Sequence, residues 1–198
     1  AFIATGSCTV HADQSGSANY LAASRVSRTF TINAVAADAP TAVSATAGDG
    51  SATISFTAPA SSGGAAISSY TVTASPGGLT ASGNGSPIVL SGLTNGVAYT
   101  FTVTATNGAG TSAASAASSP VVPMGQQSIS FDDPGSQNFN SPPSLSATAS
   151  SGLPITFSSA TPEVCTVSAE GVVAFIATGS CTVHADQSGS ANYLAASR

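Results

Sequence analysis

"AYTFTVTATN", Ala98 to Asn107, decides the fold: Tyr99, Phe101, Val103 and Ala105 alternate without a break against Thr100, Thr102, Thr104 and Thr106. A half-buried antiparallel strand demands this period of two, because successive side chains point to opposite faces of the sheet. A helix would scatter the same four apolar residues around its circumference. The pattern repeats outward along the chain. "SATISFTAP" (Ser51–Pro59) sets Ile54 and Phe56 on one face, "ISSYTVTA" (Ile67–Ala74) sets Tyr70 and Val72, and "SPIVLSGL" (Ser86–Leu93) carries Ile88 and Leu90. Between these runs stand the turn clusters "SSGG", "SPGG", "GNGSP", "TNG" and "NGAG". Helical periodicity is almost absent, so the reading is all-β.

Composition narrows the chemistry. The 198 residues are 42% hydrophobic but only 6% charged, against the usual quarter or so. There is no Trp, and the three basic residues are all arginines: Arg25, Arg28 and Arg198. Low charge with ample Val, Ile, Phe and Thr is not the disorder signature, which couples low hydrophobicity to high net charge. At a net charge of −5 the chain offers nucleic acid no basic patch, and an anionic membrane would not hold it. No apolar run is long enough to span a bilayer. The first residue is Ala and no leader precedes it, which reads as mature or excerpted material. A chain kept soluble by hydroxyls and amides suits a secreted or cell-surface protein.

The ends of the chain are the same. "AFIATGSCTVHADQSGSANYLAASR" occupies Ala1–Arg25 and returns unchanged at Ala174–Arg198, an offset of 173 residues. Either the two ends are a real duplication, or the sequence is a window on a tandem array of that period.

Residues from about Ala39 to Pro123 resemble a bacterial fibronectin type III domain, through "APTAVSATAGDGSATISFTAP", "ISSYTVTA" and "LSGLTNGVAYTFTVTATNGAG" followed by a Ser/Ala-rich last strand. The resemblance implies a β-sandwich in which Leu93 plugs the core, Tyr99 packs near the start of the sixth strand, and Phe56 fills the slot usually held by Trp; Tyr70 joins them. No Arg-Gly-Asp triplet appears, so cell attachment by that route is not implied. After "SSPVVPMGQ", the runs "QSISF", "SLSATASSGLPITFSS" and "PEVCTVSAEGVVAFIATGSCTVHADQ" resemble a bacterial immunoglobulin-like surface domain. The expected organisation is a tail half of an immunoglobulin-like domain over 1–37, a type III domain over 38–124, and an immunoglobulin-like domain over 125–198. The fold class is then tandem immunoglobulin-like β-sandwiches with incomplete domains at both ends.

Cys165 and Cys181 lie 16 positions apart, each in a strand-like run ("VCTV", "SCTV"). Two cysteines on neighbouring strands of a small β-domain are disulfide partners in an oxidising compartment. A zinc site needs about four ligands, more than each repeat supplies. Cys8 is the copy of Cys181, so its expected partner lies outside the sequence, 16 positions earlier. At the other end, the first copy continues as "VSRTFTINA" (Val26–Ala34), a last strand with Phe30 and Ile32 alternating against Thr. The C-terminal domain lacks that strand.

Other candidate chemistry is weaker. His11 with Asp13, repeated as His184 with Asp186, shares one strand face, but a metal would need a third ligand. Asp132-Asp133 precedes "PG" in a turn and could join loop carbonyls around calcium; a solvated acidic turn is the plainer reading. Asn84-Gly85-Ser86 is a glycosylation sequon by pattern. The serines have no "GxSxG" context or paired base, and the Gly-rich pieces are hairpin loops with no helix behind them to take phosphate. The absence of Lys excludes Lys–Asn isopeptide cross-links. No enzyme activity, cofactor or metal is expected. The expected function is a structural repeat of an extracellular fibre whose partners are neighbouring repeats. Its uncharged edges, as in "TSAASAASS", leave lateral self-association open. The alternatives are an adhesin or glycan/protein-binding module, with Tyr20 and Tyr193 as candidate contacts, or a spacer in a large secreted enzyme.

Overall fold

The computed structural model describes residues 5–196, so the ends of the repeated stretches, 1–4 and 197–198, lie outside the described residues. Among the described residues there are strands and no helix. In chain order the strands are β1 (Gly6–Gln14), β2 (Ala23–Ile32), β3 (Thr41–Gly48), β4 (Ser51–Thr57), β5 (Ile67–Ser75), β6 (Thr80–Gly83), β7 (Ile88–Ser91), β8 (Thr100–Asn107) and β9 (Gly110–Thr111). There follow β10 (Ile129–Phe131), β11 (Ala147–Ala149), β12 (Thr156–Ser159), β13 (Cys165–Val167), β14 (Val173–Phe175) and β15 (Val183–Asp186). The chain divides into two compact units. The first comprises Ala1–Thr46, Thr53–Leu90 and Tyr99–Pro120; the second comprises Ala47–Ala52, Ser91–Ala98 and Val121–Arg198.

The alternating runs become the two sheets of a sandwich, ordered β3-β4-β7 and β6-β5-β8-β9. Antiparallel pairing of β5 with β8 sets Val72 opposite Val103 and Tyr70 opposite Ala105. Burial follows the sequence period. Ile54, Val72, Leu90, Phe101 and Val103 are almost wholly enclosed, and Phe56, Tyr70 and Tyr99 are buried as well; Leu93, which falls in the second unit, is 5% exposed. The rings of Phe56 and Tyr70 lie 4.9 Å apart across the sheets. Enclosing each large side chain contributes about 1.5–3 kcal/mol, so these residues dominate the stability of this part of the chain.

The Ser/Ala-rich last strand departs from expectation. Only Gly110 and Thr111 pair as a strand; beyond them the chain meets β8 at every third residue. Ser112, Ser115 and Ser118 donate their N–H groups to the carbonyls of Ala105, Val103 and Phe101 at 2.8–2.9 Å. In return the N–H groups of Ala105, Val103 and Phe101 donate to the three serine hydroxyls. Each hydroxyl then donates to the next carbonyl, at Ala113, Ala116 and Ser119. The three serines are buried while the alanines between them face out. Three residues therefore span two residues of β8. The mismatch with a regular ladder leaves the β8 N–H groups without backbone acceptors, and the serine side chains supply the acceptors instead. A buried N–H must find a partner, which explains the spacing in "TSAASAASS" better than a flat edge strand does.

The second unit has a smaller core. Leu145, Cys165 and Val173 are buried, with Phe131, Phe157, Val167, Phe175, Cys181 and Val183 packed against them. Its strands are short and pair antiparallel in twos: β10 with β11, β12 with β15, β13 with β14. The stretch "GSCTVHADQ" pairs along its whole length in the first copy, as β1. In its second copy only Val183–Asp186 pairs, because β12 offers four residues and no strand lies along the other edge of β15 among the described residues.

Candidate functional site: one sequence in two settings

The repeated segment is where sequence and environment separate. At both copies the local chain folds alike. The N–H of Gly16 donates to Gln14 Oε1 and that of Gly189 to Gln187 Oε1. Asn19 and Asn192 donate N–H to the hydroxyls of Ser17 and Ser190, and Ser17 and Ser190 donate N–H to the carbonyls of Tyr20 and Tyr193. Gly16 and Gly189 adopt φ of 79° and 83°, a left-handed conformation that glycine takes without strain. The turn is thus written locally, by Asx- and Ser-type hydrogen bonds.

The surroundings differ. In the second copy Gln187 is buried, accepting from Gln127 Nε2, which also donates to the Leu194 carbonyl at 2.6 Å; Ser151 hydroxyl donates to Gln127 Oε1. Gly125 and Tyr193 form a parallel bridge, with Gly125 N–H donating to Asn192 and Leu194 N–H donating to Gly125. The Tyr193 ring lies so close that a Cβ on Gly125 would meet it at 2.8 Å. Cys181 is joined to Cys165, with an S–S distance of 1.96 Å. In the first copy Gln14 is exposed, Tyr20 is 77% exposed, Leu21 95%, and Cys8 is a free thiol.

What the first copy has instead is β2. It pairs with β1 along the whole strand, from Gly6 opposite Ile32 to Gln14 opposite Ala23, with an irregularity between Ala12 and Gln14. One face of this hairpin is polar. Thr9 and Thr29 hydroxyls meet at 2.8 Å, His11 Nδ1 and Ser27 Oγ at 2.7 Å, and Arg25 Nε donates to Asp13 Oδ1 at 2.7 Å. The other face carries Cys8, Val10, Ala12, Val26, Phe30 and Ile32 with Arg28 among them, opposite Val10; Val10, Val26 and Phe30 are about half exposed.

The remaining candidates have ordinary uses. His11 and Asp13 share a face, as expected, but each is occupied by β2; the exposed Arg25–Asp13 pair is worth little. His184 and Asp186 lie on β15, opposite Ser158 and Thr156. Asp133 accepts the Gly135 N–H in the "DDPG" turn. No three His, Cys, Asp or Glu groups converge as a metal site among the described residues. Asn84 is exposed on the turn before β7, while Ser86 Oγ accepts the Phe56 N–H at 2.9 Å. At the β13–β14 turn, hydrogen bonds from the Ser168 hydroxyl and from its own backbone N–H hold the Glu170 carboxyl below its ordinary value. Sequence reading passed over Asn107. It is buried, its Nδ2 donates to the carbonyls of Val35 and Ser62, and its Oδ1 accepts from Ala109 and Gly110. The "NGAG" signal marked the turn but not this tie to the segment before β3.

Comparison with known proteins bears on the sandwich. Residues 38–121 match the fibronectin type III domain. Type III domains commonly serve as structural or spacer modules in multidomain proteins. A crystal structure of titin domains is 26% identical, with a TM-score of 0.44 over 50% of this chain and 36% of its own. A human type III domain in solution is 25% identical, with a TM-score of 0.41 over 48% of this chain and 84% of its own. Two domains of the rat CD45 extracellular region are 18% identical, with a TM-score of 0.42 over 49% and 55%. The chain thus spans about a third of the titin structure it overlaps. No curated protein matches the chain. No helix among the described residues is long and apolar enough to cross a membrane.

Proposed function

We propose that this chain is a non-catalytic structural repeat of a long extracellular or cell-surface fibre, in which type III and immunoglobulin-like sandwiches alternate with a 173-residue period. The observation that carries the reading is the double setting of one sequence. In the second copy Cys181, Val183–Asp186, Gln187 and Tyr193 have partners drawn from the preceding 50 or so residues of an array period: Cys165, β12, Gln127 and Gly125. At 1–25 the same residues stand without those partners, and the thiol of Cys8 is free. In an array, the end of the previous repeat supplies all of them at once, including a cysteine for Cys8. Modules that fold locally and pass strain only to neighbours suit such a fibre.

An adhesive role would rest on exposed Tyr20 and Leu21. Their copies, Tyr193 and Leu194, bond across to Gly125, so their exposure at the first copy is better read as a missing partner than as a ligand contact.

The test is the natural polypeptide itself, reduced, on a denaturing gel, with fragments from a glutamyl endoprotease sequenced. The array predicts a mass many times 18.9 kDa and a fragment that begins at Gly171 and reads through "AASRVSRTFTINA". A discrete species near that mass would overturn the proposal.

A further inference from the structure

We infer that the second unit carries a strand-binding groove whose occupant is the segment Val26–Ile32 of another copy of this sequence. An open groove of about 770 Å³ lies in this unit, lined by Phe131, Phe139, Leu145, Val173, Phe175 and the stretch Ala177–Val183. Its floor is the small core already described, and Phe139 above it remains 49% exposed while packing 6.3 Å from Phe175. One wall, Gly179–Val183, continues into β15, whose far edge has no strand partner among the described residues. A core of aromatic rings beside an unpaired edge is an invitation to a further strand.

The chain itself shows which strand fits. Gly179–Ala185 is the same sequence as Gly6–Ala12, and there β2 supplies the partner: Gly6 faces Ile32, Cys8 faces Phe30, Val10 faces Arg28 and Ala12 faces Val26. Carried to the second copy, this register sets Ile32 opposite Gly179, Phe30 opposite Cys181 and Arg28 opposite Val183. Paired residues of an antiparallel ladder share a face. Cys181 packs against the Cys165 core, so Phe30 and Ile32 fall on the groove side. On their own hairpin that face stands uncovered, with Phe30 45% exposed. Charge agrees in sign: the groove's charged lining is Asp132 and Asp133, and the incoming strand carries Arg28. The groove reading stands apart from the array reading, because a free strand tests it whatever the length of the natural polypeptide.

The experiment titrates a fluorescein-labelled peptide, "RVSRTFTINA" (Arg25–Ala34), with the full oxidised chain and follows anisotropy. Saturable binding is expected, weakened at least tenfold in the peptide carrying Phe30→Ser and Ile32→Ser. Location is read separately, in a chain with Cys8→Ser and Val183→Cys. A peptide with Arg28→Cys should cross-link to it, and one with Thr29→Cys should not. Equal binding of the doubly substituted peptide, absence of saturable binding, or cross-linking without register preference would each overturn the inference.

Discussion

Replacing Ser115 by Ala removes one oxygen and leaves the backbone path available. The Ser115 N–H still reaches the Val103 carbonyl, but the Val103 N–H loses its acceptor at 2.9 Å. Val103 is fully enclosed and Ser115 only 8% exposed, so water reaches the orphaned donor poorly. Leaving a buried donor unsatisfied costs about 1–3 kcal/mol, with almost no change in packed volume to offset it. In a domain of this size each kcal/mol lowers the midpoint by about 4–8 °C. Hydrogen exchange of the Val103 amide should accelerate about 5- to 150-fold, the same free energy expressed as a ratio. The control is Ala114→Ser, one residue away and exposed, expected to stay within about 0.5 kcal/mol. The assay is urea unfolding read from the amide resonances of β8, with exchange measured on the native protein. If Ser115→Ala matches the control in both readouts, the hydroxyl is not the acceptor of Val103 and the serine ladder is misread.

Three further outcomes are expected. Reducing Cys165–Cys181, or replacing both by Ser, should destabilise the second unit by about 3 kcal/mol, the loop-closure value for a separation of 16 residues; unchanged unfolding with and without reductant would refute this. Gly63→Ala should be far costlier than Gly77→Ala in thermal unfolding. Both have positive φ, but a Cβ at Gly63 would lie 2.1 Å from the Val35 carbonyl oxygen, whereas Gly77 opens to empty space; equal midpoints would refute the clash. Ser168→Ala should raise the Glu170 pKa toward its ordinary value in an NMR titration, since the hydroxyl is the first cause of its lowering. The sign follows: a depressed folded pKa stabilises above the unfolded value and is lost as pH falls through the folded one, so the variant should lose less stability on acidification.

The sandwich was legible because its strands bury one face and leave the other wet. Tyr99, Phe101, Val103 and Ala105 announce their face by alternation alone, and burial in the structure follows residue by residue. The serine segment was legible as a composition and not as a geometry. Period three is neither strand nor helix, and its meaning depends on β8 N–H groups that no local pattern reveals. The repeated segment shows the same division within one sequence. Its turn appears at both copies because Gln, Ser and Asn bond within a few residues, whereas β1 and β15 differ in length because strand extent depends on neighbours distant in the chain. Asn107 escaped notice for a similar reason: its partners, Val35 and Ser62, lie 72 and 45 residues away.

The serine ladder also bears on how the chain meets a pull. Six hydrogen bonds tie Ser112, Ser115 and Ser118 to Ala105, Val103 and Phe101, all directed across the line of the chain. A pull on the chain beyond Ser118 that acted along that line would strain the rungs sideways and together, instead of peeling them one after another. Several bonds would then have to fail at once, so a segment of serine and alanine would resist such a pull in shear.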